Sequence, residues 1–495
     1  MTKRNHKTSS LSGYQPYRYE SHKKAVTRRD MLSQGFLGTM GYMAGPSLLG
    51  LIWERNAFGL TCADPAGAVA MPAFIVLDLA GGANIAGNNV IVGKNNDQAA
   101  FIASYANLGI PDAISPKANA AKIDSTMGLL WHSDSAMLAG IKSKALAATL
   151  ANTEGAVFAA ISGDDTSNNV HNPTHWVAKA GLKGKYTSLV GVRASDSGGN
   201  SAVPAASYNP ATRPSVITKG SDALGLLKPG KLATLLSDAD VKKIVSATRS
   251  MSASRLAMFQ EKDMSAQIRD LIQCGYLKGE EMLAAGASEQ TAIDPAQDAI
   301  MTGIFTGFAN ATDQATSVSI AKLVLDGYAG AGTISKGGFD YHGQGRAVSD
   351  ARDREAGVII GSLLQAAAAK NKDLMIYVFT DGGVTAAGAP DATTGKGVYN
   401  SDAGQTSSSF VIVHKAGAKP ALRRANSRQV GSFTDAGGVD ARFNLISNSV
   451  ENLSKAVVAN YMALLGNESK LATVVGDNPF GADLEKYLVF SKLRA

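Results

Sequence analysis

The segment Gly337-Gly338-Phe339-Asp340-Tyr341-His342 sets a carboxylate and an imidazole two residues apart, in a loop or at a strand end. Further on, Thr380-Asp381-Gly382 places a second acid directly behind the apolar run Met375-Ile376-Tyr377-Val378-Phe379. Near the start, Phe74-Ile75-Val76-Leu77-Asp78-Leu79 holds a third, followed by Gly81-Gly82-Ala83-Asn84. Acids and histidines at the carboxyl ends of buried strands are how an α/β protein gathers metal ligands from distant parts of its chain. Carboxylates suit hard divalent ions, and imidazole favours zinc or a similar transition metal.

Each residue also has a plain alternative. Asp78 could cap a helix or satisfy the amides of the Gly-rich loop, Asp340 and His342 could form a surface turn, and Asp381 could be a turn former. Asn169-Val170-His171-Asn172-Pro173-Thr174-His175-Trp176 forms a second polar cluster, in which Asn172-Pro173 would start a helix and leave free amides near His171 and Thr174. An anion could bind there, or the two histidines could be incidental to a capped helix. His132, beside Trp131, reads as a packing histidine, and His414 as the end of a strand. The chain contains no P-loop, no G-x-S-x-G elbow, no H-E-x-x-H and no C-x-x-C, which argues against nucleotide-triphosphate enzymes, serine hydrolases and zincins.

The elements that must position these groups are legible as strands alternating with long helices. Apolar runs at Phe74–Leu79, Ala156–Ile161, Ser188–Val192, Leu374–Phe379 and Ser409–Val413 read as strands. Helical periodicity covers Ser237–Tyr276, about 296–310, 313–327, Asp350–Lys370 and Phe443–Leu465. In the Asp350–Lys370 stretch, Ala356, Ile359, Ile360, Leu363, Leu364 and Ala367 share a face. This alternation predicts a largely parallel sheet covered on both faces, an α/β three-layer sandwich, with residues of about 195–330 as a helical cap or insertion.

At 495 residues with 45% hydrophobic and 18% charged content, the chain has ample core. Its net charge of +7 is confined to residues 1–29, where eight basic residues face one acid, Glu20, and the remainder balances. A neutral body offers no argument for nucleic acid. The basic leader reads as an export signal: Arg28-Arg29-Asp30-Met31-Leu32 is a twin-arginine motif, and an apolar stretch from Gly35 to Trp53 follows. That reading makes the translocation machinery a partner and the periplasm the destination, with residues 1–68 as leader and linker, 69–495 as the folded domain, and Ala66-Gly67-Ala68 fitting a small-x-small cleavage pattern. Retention of the apolar stretch as an anchor is the alternative; no later segment is long and apolar enough to span a membrane. Two cysteines, Cys62 and Cys274, do not make a disulfide framework.

These motifs resemble a family of bacterial twin-arginine-exported proteins of unassigned function, related to the alkaline phosphatase and sulfatase superfamily. The resemblance runs from Arg28 to about Lys415 on short motifs. Leu77 to Asn89 is similar to the family's first strand and its G-G-N-D-G-L-N loop, Trp131-His132-Ser133 to its L-H-P segment, and Asn169–Trp176 to its S-H-F region. Gly338-Phe339-Asp340-Tyr341-His342 matches G-[FW]-D-x-H, Val378–Gly383 stands where S-E-F-G-R ends a strand, and Ser401-Asp402-Ala403-Gly404 resembles T-D-H-G. The resemblance implies an alkaline-phosphatase-like sandwich holding one or two divalent metals, whether zinc, calcium, magnesium or manganese. Asp340 and His342 would bind one metal; Asp78 and Asp381 would serve the other, with Asp402 nearby. Thr174 or a water activated by the metal would attack a phosphate or sulfate ester, with His171 beside it.

The departures are equally specific. The loop acid is lost in Gly81-Gly82-Ala83-Asn84-Ile85, Val170 replaces the serine expected before His171, Val384 replaces an arginine, and Ala403 a histidine. A two-metal site needs roughly six to eight protein ligands, and the resemblance supplies only Asp78, Asp340, His342, Asp381 and Asp402. The expectation is therefore a reduced metallohydrolase-like site. The alternative is a non-catalytic exported protein on the same fold, binding a small anionic ligand or a protein partner or serving in surface assembly.

Overall fold

A computed structural model describes residues 71–162, 171–227 and 287–494, together with five helical residues between 240 and 250. The expected leader, Cys62, Cys274 and most of the expected helix Ser237–Tyr276 lie outside the described residues.

Eight strands form the central sheet: β1 (Ala73–Leu79), β2 (Thr153–Phe158), β3 (Thr187–Gly191), β4 (Ser215–Val216), β5 (Ala329–Lys336), β6 (Leu374–Thr380), β7 (Ser409–His414) and β8 (Gln429–Val430). Their order is β8-β2-β7-β6-β1-β5-β3-β4. All the pairs are parallel except those of β7, which runs against both β6 and β2. The sheet is mostly parallel, as the alternation of strands and helices predicts.

Alternation along each strand sorts the core into two layers. Ile75, Leu77 and Leu79 of β1 join Ile376 and Val378 of β6 under α3 (Ala311–Leu325) and α4 (Arg346–Ala369), with α1 (Ala136–Lys142) packed on α4. Phe74 and Val76 join Met375, Tyr377 and Phe379 on the opposite face, covered by α2 (Thr174–Lys179) and α5 (Val450–Leu465). Helices on both faces of one sheet make three layers. Within the tract 195–330, α3 packs against β5 and β1. No helix among the described residues is long and apolar enough to cross a membrane.

β5 is absent from the apolar runs because its sequence, Ala-Gly-Ala-Gly-Thr-Ile-Ser-Lys, has none. It is buried nonetheless. A Cβ at Gly332 would stand 2.6 Å from Ile320 Cγ2, so the missing side chain is what lets α3 lie close to the sheet. β2 begins earlier than its apolar residues, with Thr153 and Glu154. Glu154 is buried there because Arg428 grips its carboxylate at 2.7 and 2.9 Å. The expected helix near 296–310 is a 3₁₀ turn, Pro295–Gln297, and a short helix, Ala299–Ile304. α5 starts at Val450 rather than Phe443, where Ser449 accepts from the Asn452 amide.

One charged lock ties three helices together. Asp298 accepts from the Ile300 and Met301 amides, and its Oδ2 takes Lys322 and Lys370 Nζ at 2.7 Å each. Asp326 takes the same lysines at 2.5 and 2.9 Å. Burial alone would raise the Asp298 carboxyl, but hydrogen bonds from Lys322 and Lys370 hold it well below the usual range. Its stabilisation is therefore present above the ordinary carboxylate pKa and is lost as pH falls below it. Asp298→Asn leaves two buried ammoniums sharing Asp326 and should cost about 3 kcal/mol, read as a lower urea midpoint with an unchanged slope.

Candidate metal centre

Parallel register brings the candidate residues to one edge. Leu79, the last residue of β1, pairs with Lys336 and with Thr380, so β1, β5 and β6 end at the same level. The loops that carry Gly81, Asp340 and Asp381 all leave from that edge. The Phe339 amide donates to the Ala80 carbonyl at 3.2 Å, joining two of them.

Beyond β5 the segment alternates. Phe339 and Tyr341 are buried, whereas Asp340 and His342 reach solvent. The D-x-H spacing thus puts both donors on the open side with an aromatic residue anchoring the turn between them. A two-stranded ribbon, Val384–Ala386 with Tyr399–Asp402, follows β6 and brings in Asp402. The Gly343 amide donates to the Tyr399 carbonyl at 2.9 Å, which ties the ribbon to the loop.

His342 Nδ1 lies 2.5 Å from Asp340 Oδ1 and 2.8 Å from Asp402 Oδ1. Neither contact is aligned as a hydrogen bond, although the nitrogen itself is shielded from solvent. One donor atom from each of Asp340, His342 and Asp402 falls within 4.8 Å of the others, a set found nowhere else among the described residues. Two carboxylates and an imidazole fit one divalent ion such as zinc or manganese, with coordination positions left open.

Asp78 and Asp381 form a different environment. Asp78 is fully buried; its Oδ2 accepts from the Asn200 and Ser201 amides at 2.9 and 3.0 Å, and Oδ1 has no hydrogen-bond partner. Asp381 is buried too, and its Oδ1 accepts from the Gly81 amide at 2.7 Å. Burial first, and then the charge of Asp381, pushes the Asp78 carboxyl up to about 6. A raised carboxyl contributes stability below its unfolded pKa, and that contribution is lost as pH rises through about 6. Asp78→Asn should remove this dependence and flatten the fall in melting temperature between about pH 4 and pH 7, a difference on the order of 3 kcal/mol.

The proposed attacking group is differently placed. Thr174 is buried at the start of α2, and its hydroxyl donates to Asn172 Oδ1 at 2.8 Å. Asn172 is in turn fixed to Thr333 and to the Ser197 carbonyl. His171 is buried with its ring stacked on Phe379 at 5.1 Å, and neither ring nitrogen has a partner. Burial drives its pKa down to about 3, so the imidazole is neutral at ordinary pH. His132 and His175 are buried with Nε2 against the Ile114 and Asp196 carbonyls, and His414 ends β7 at the far edge of the sheet. The structure thus brings Asp340, His342 and Asp402 together, holds Asp78 and Asp381 through main-chain amides, and ties the Thr174 hydroxyl to Asn172.

Arg346 and Asp353 escaped the reading of the sequence. Both are buried on α4. The signal was present: they continue the stripe of Ala356, Ile360, Leu363 and Ala367 backwards, and charged residues in phase with an apolar face mark a buried polar network.

Comparison with protein-family models, curated proteins and solved structures returns no match to this chain.

Proposed function

We propose that this chain is an exported protein on an alkaline-phosphatase-like sandwich, whose reduced site acts on phosphate or sulfate esters through one divalent ion. The observation that carries the reading is the convergence of Asp340, His342 and Asp402 at the carboxyl edge of parallel strands. A divalent ion held there would supply Lewis acidity toward an ester oxygen. Asp340, His342 and Asp402 would hold the ion, and both carboxylates are half exposed and so open to a ligand from solvent. Because the Thr174 hydroxyl is buried and bonded to Asn172, the attacking group in this reading is a solvent water rather than a side chain.

A second reading, ligand binding without turnover, draws on the main-chain amides. Asp78 and Asp381 already accept from Asn200, Ser201 and Gly81 amides. Elemental analysis of protein purified without chelators, paired with aryl phosphate and aryl sulfate assays, separates the two. One ion per chain with turnover supports the hydrolase, and one ion without turnover supports the binding protein. No ion and no turnover overturns the hydrolase and leaves the binding reading standing.

A further inference from the structure

Beneath the three donors lies a polar network that the proposed function does not use. Arg346 opens α4 and is fully buried. Its Nη1 donates to the Gly397 carbonyl at 2.9 Å, its Nε to Asp350 at 3.1 Å and its Nη2 to Asn88 Oδ1, and the guanidinium lies 4.8 Å from the Tyr399 ring centre. Asn88 and Asn89 each donate to Asp353 Oδ2 at 2.9 Å. The Tyr341 hydroxyl donates to Asp353 Oδ1 at 3.4 Å and accepts from the Asn84 amide at 2.6 Å.

The two tyrosines explain why this matters. Tyr341 stands between Asp340 and His342, and Tyr399 opens the strand that ends in Asp402. Their rings are 5.5 Å apart. Both donor-bearing segments are therefore pinned from below onto the first turns of α4. Burying a carboxylate and a guanidinium carries a desolvation cost that apolar residues would avoid, so such a network needs a reason to exist, and fixing geometry is one. Burial pushes the Asp353 carboxyl up to about 7, against the hydrogen bond from Asn89 and the nearby charge of Arg346.

We infer that Tyr341 and Asp353 are positioning residues of the ion site, setting the separation of Asp402 from the Asp340–His342 pair. This rests on the reading of that cluster as a divalent-ion site. The test is titration calorimetry with Zn²⁺, visible absorption of the Co²⁺-loaded protein, and thermal melting of the ion-free protein, for the wild type, Tyr341→Phe and Asp353→Asn. Each variant is expected to bind Zn²⁺ about 10- to 100-fold more weakly and to shift the cobalt bands, as loss of a supporting contact does at other metal sites. Tyr341→Phe keeps the ring and removes one oxygen, so it carries the test if Asp353→Asn does not fold. Lower melting temperatures with unchanged affinity and unchanged cobalt bands would assign the network to stability alone and overturn the inference. Failure of the wild type to bind either ion would overturn the reading of the site, and the inference with it.

Discussion

Replacing His342 with alanine is expected to weaken zinc or cobalt binding at least about 100-fold while leaving the fold intact. The imidazole is the only nitrogen donor of the set, and its Nδ1 stands between the two carboxylates, at 2.5 and 2.8 Å. Without it, Asp340 and Asp402 face each other as like charges with no soft donor between them, a pair better suited to calcium or magnesium. Stability should change little, within about 0.5 kcal/mol, because the side chain is 35% exposed and contributes little to the core. Calorimetric titration with Zn²⁺ against a melting curve checks both halves. Undiminished binding by the variant would mean that the ion sits elsewhere. A fall in melting temperature equal to that of a core substitution would mean that His342 is structural.

The second large effect is expected at Gly81, where Gly81→Ala should lower unfolding stability by about 4 kcal/mol, combining backbone strain with overpacking. Gly81 has φ of +120°, and a Cβ there would stand 2.4 Å from the Asp340 amide nitrogen and 3.0 Å from the Asp340 Cβ. Main chain cannot yield as a flexible side chain can, so either the Asp340 loop or the Gly-rich loop must move. The Gly81 amide also donates to Asp381, which makes this residue the point where three strand-end loops meet. Gly388→Ala serves as the control. It has φ of +89° with nothing within 4 Å of the added carbon, so it should cost only about 1 kcal/mol. Urea unfolding of both variants separates the two contributions, and equal losses would mean that the contact with Asp340 is of no consequence. Weaker Zn²⁺ binding by Gly81→Ala alone would tie the loop contact to the ion site.

Much of the sheet was legible because its strands are written as apolar runs. β1, β3, β6 and β7 lie within a residue or so of their runs, since burial on both faces demands apolar side chains at every position. β5 was not legible. Gly332 is there to admit α3, and a Cβ at Gly330 would strike the Leu182 and Ser188 carbonyls, so both demands come from what packs on the strand rather than from the strand itself. The polar start of β2 was hidden for a related reason: Glu154 is buried against Arg428 and Lys419, far along the chain, which come to meet it.

The site divides in the same way. The sequence by itself determined that Asp78 and Asp381 come at or just beyond strand ends, because each stands between an apolar run and a Gly-rich loop; Asp340 and His342 follow β5, whose end it did not mark. It also set Asp340 and His342 on one side of their segment, through a spacing that needs no tertiary partner. Only the tertiary structure decided which acids share a point. The ribbon after β6 carries Asp402 to His342, while the loop through Asn200 and Ser201 closes on Asp78 and supplies it with amides. A carboxylate's local sequence says that it needs partners. Whether those partners are main-chain amides, a lysine or a metal ion depends on which distant segment arrives first within hydrogen-bonding distance, and that is fixed by packing alone.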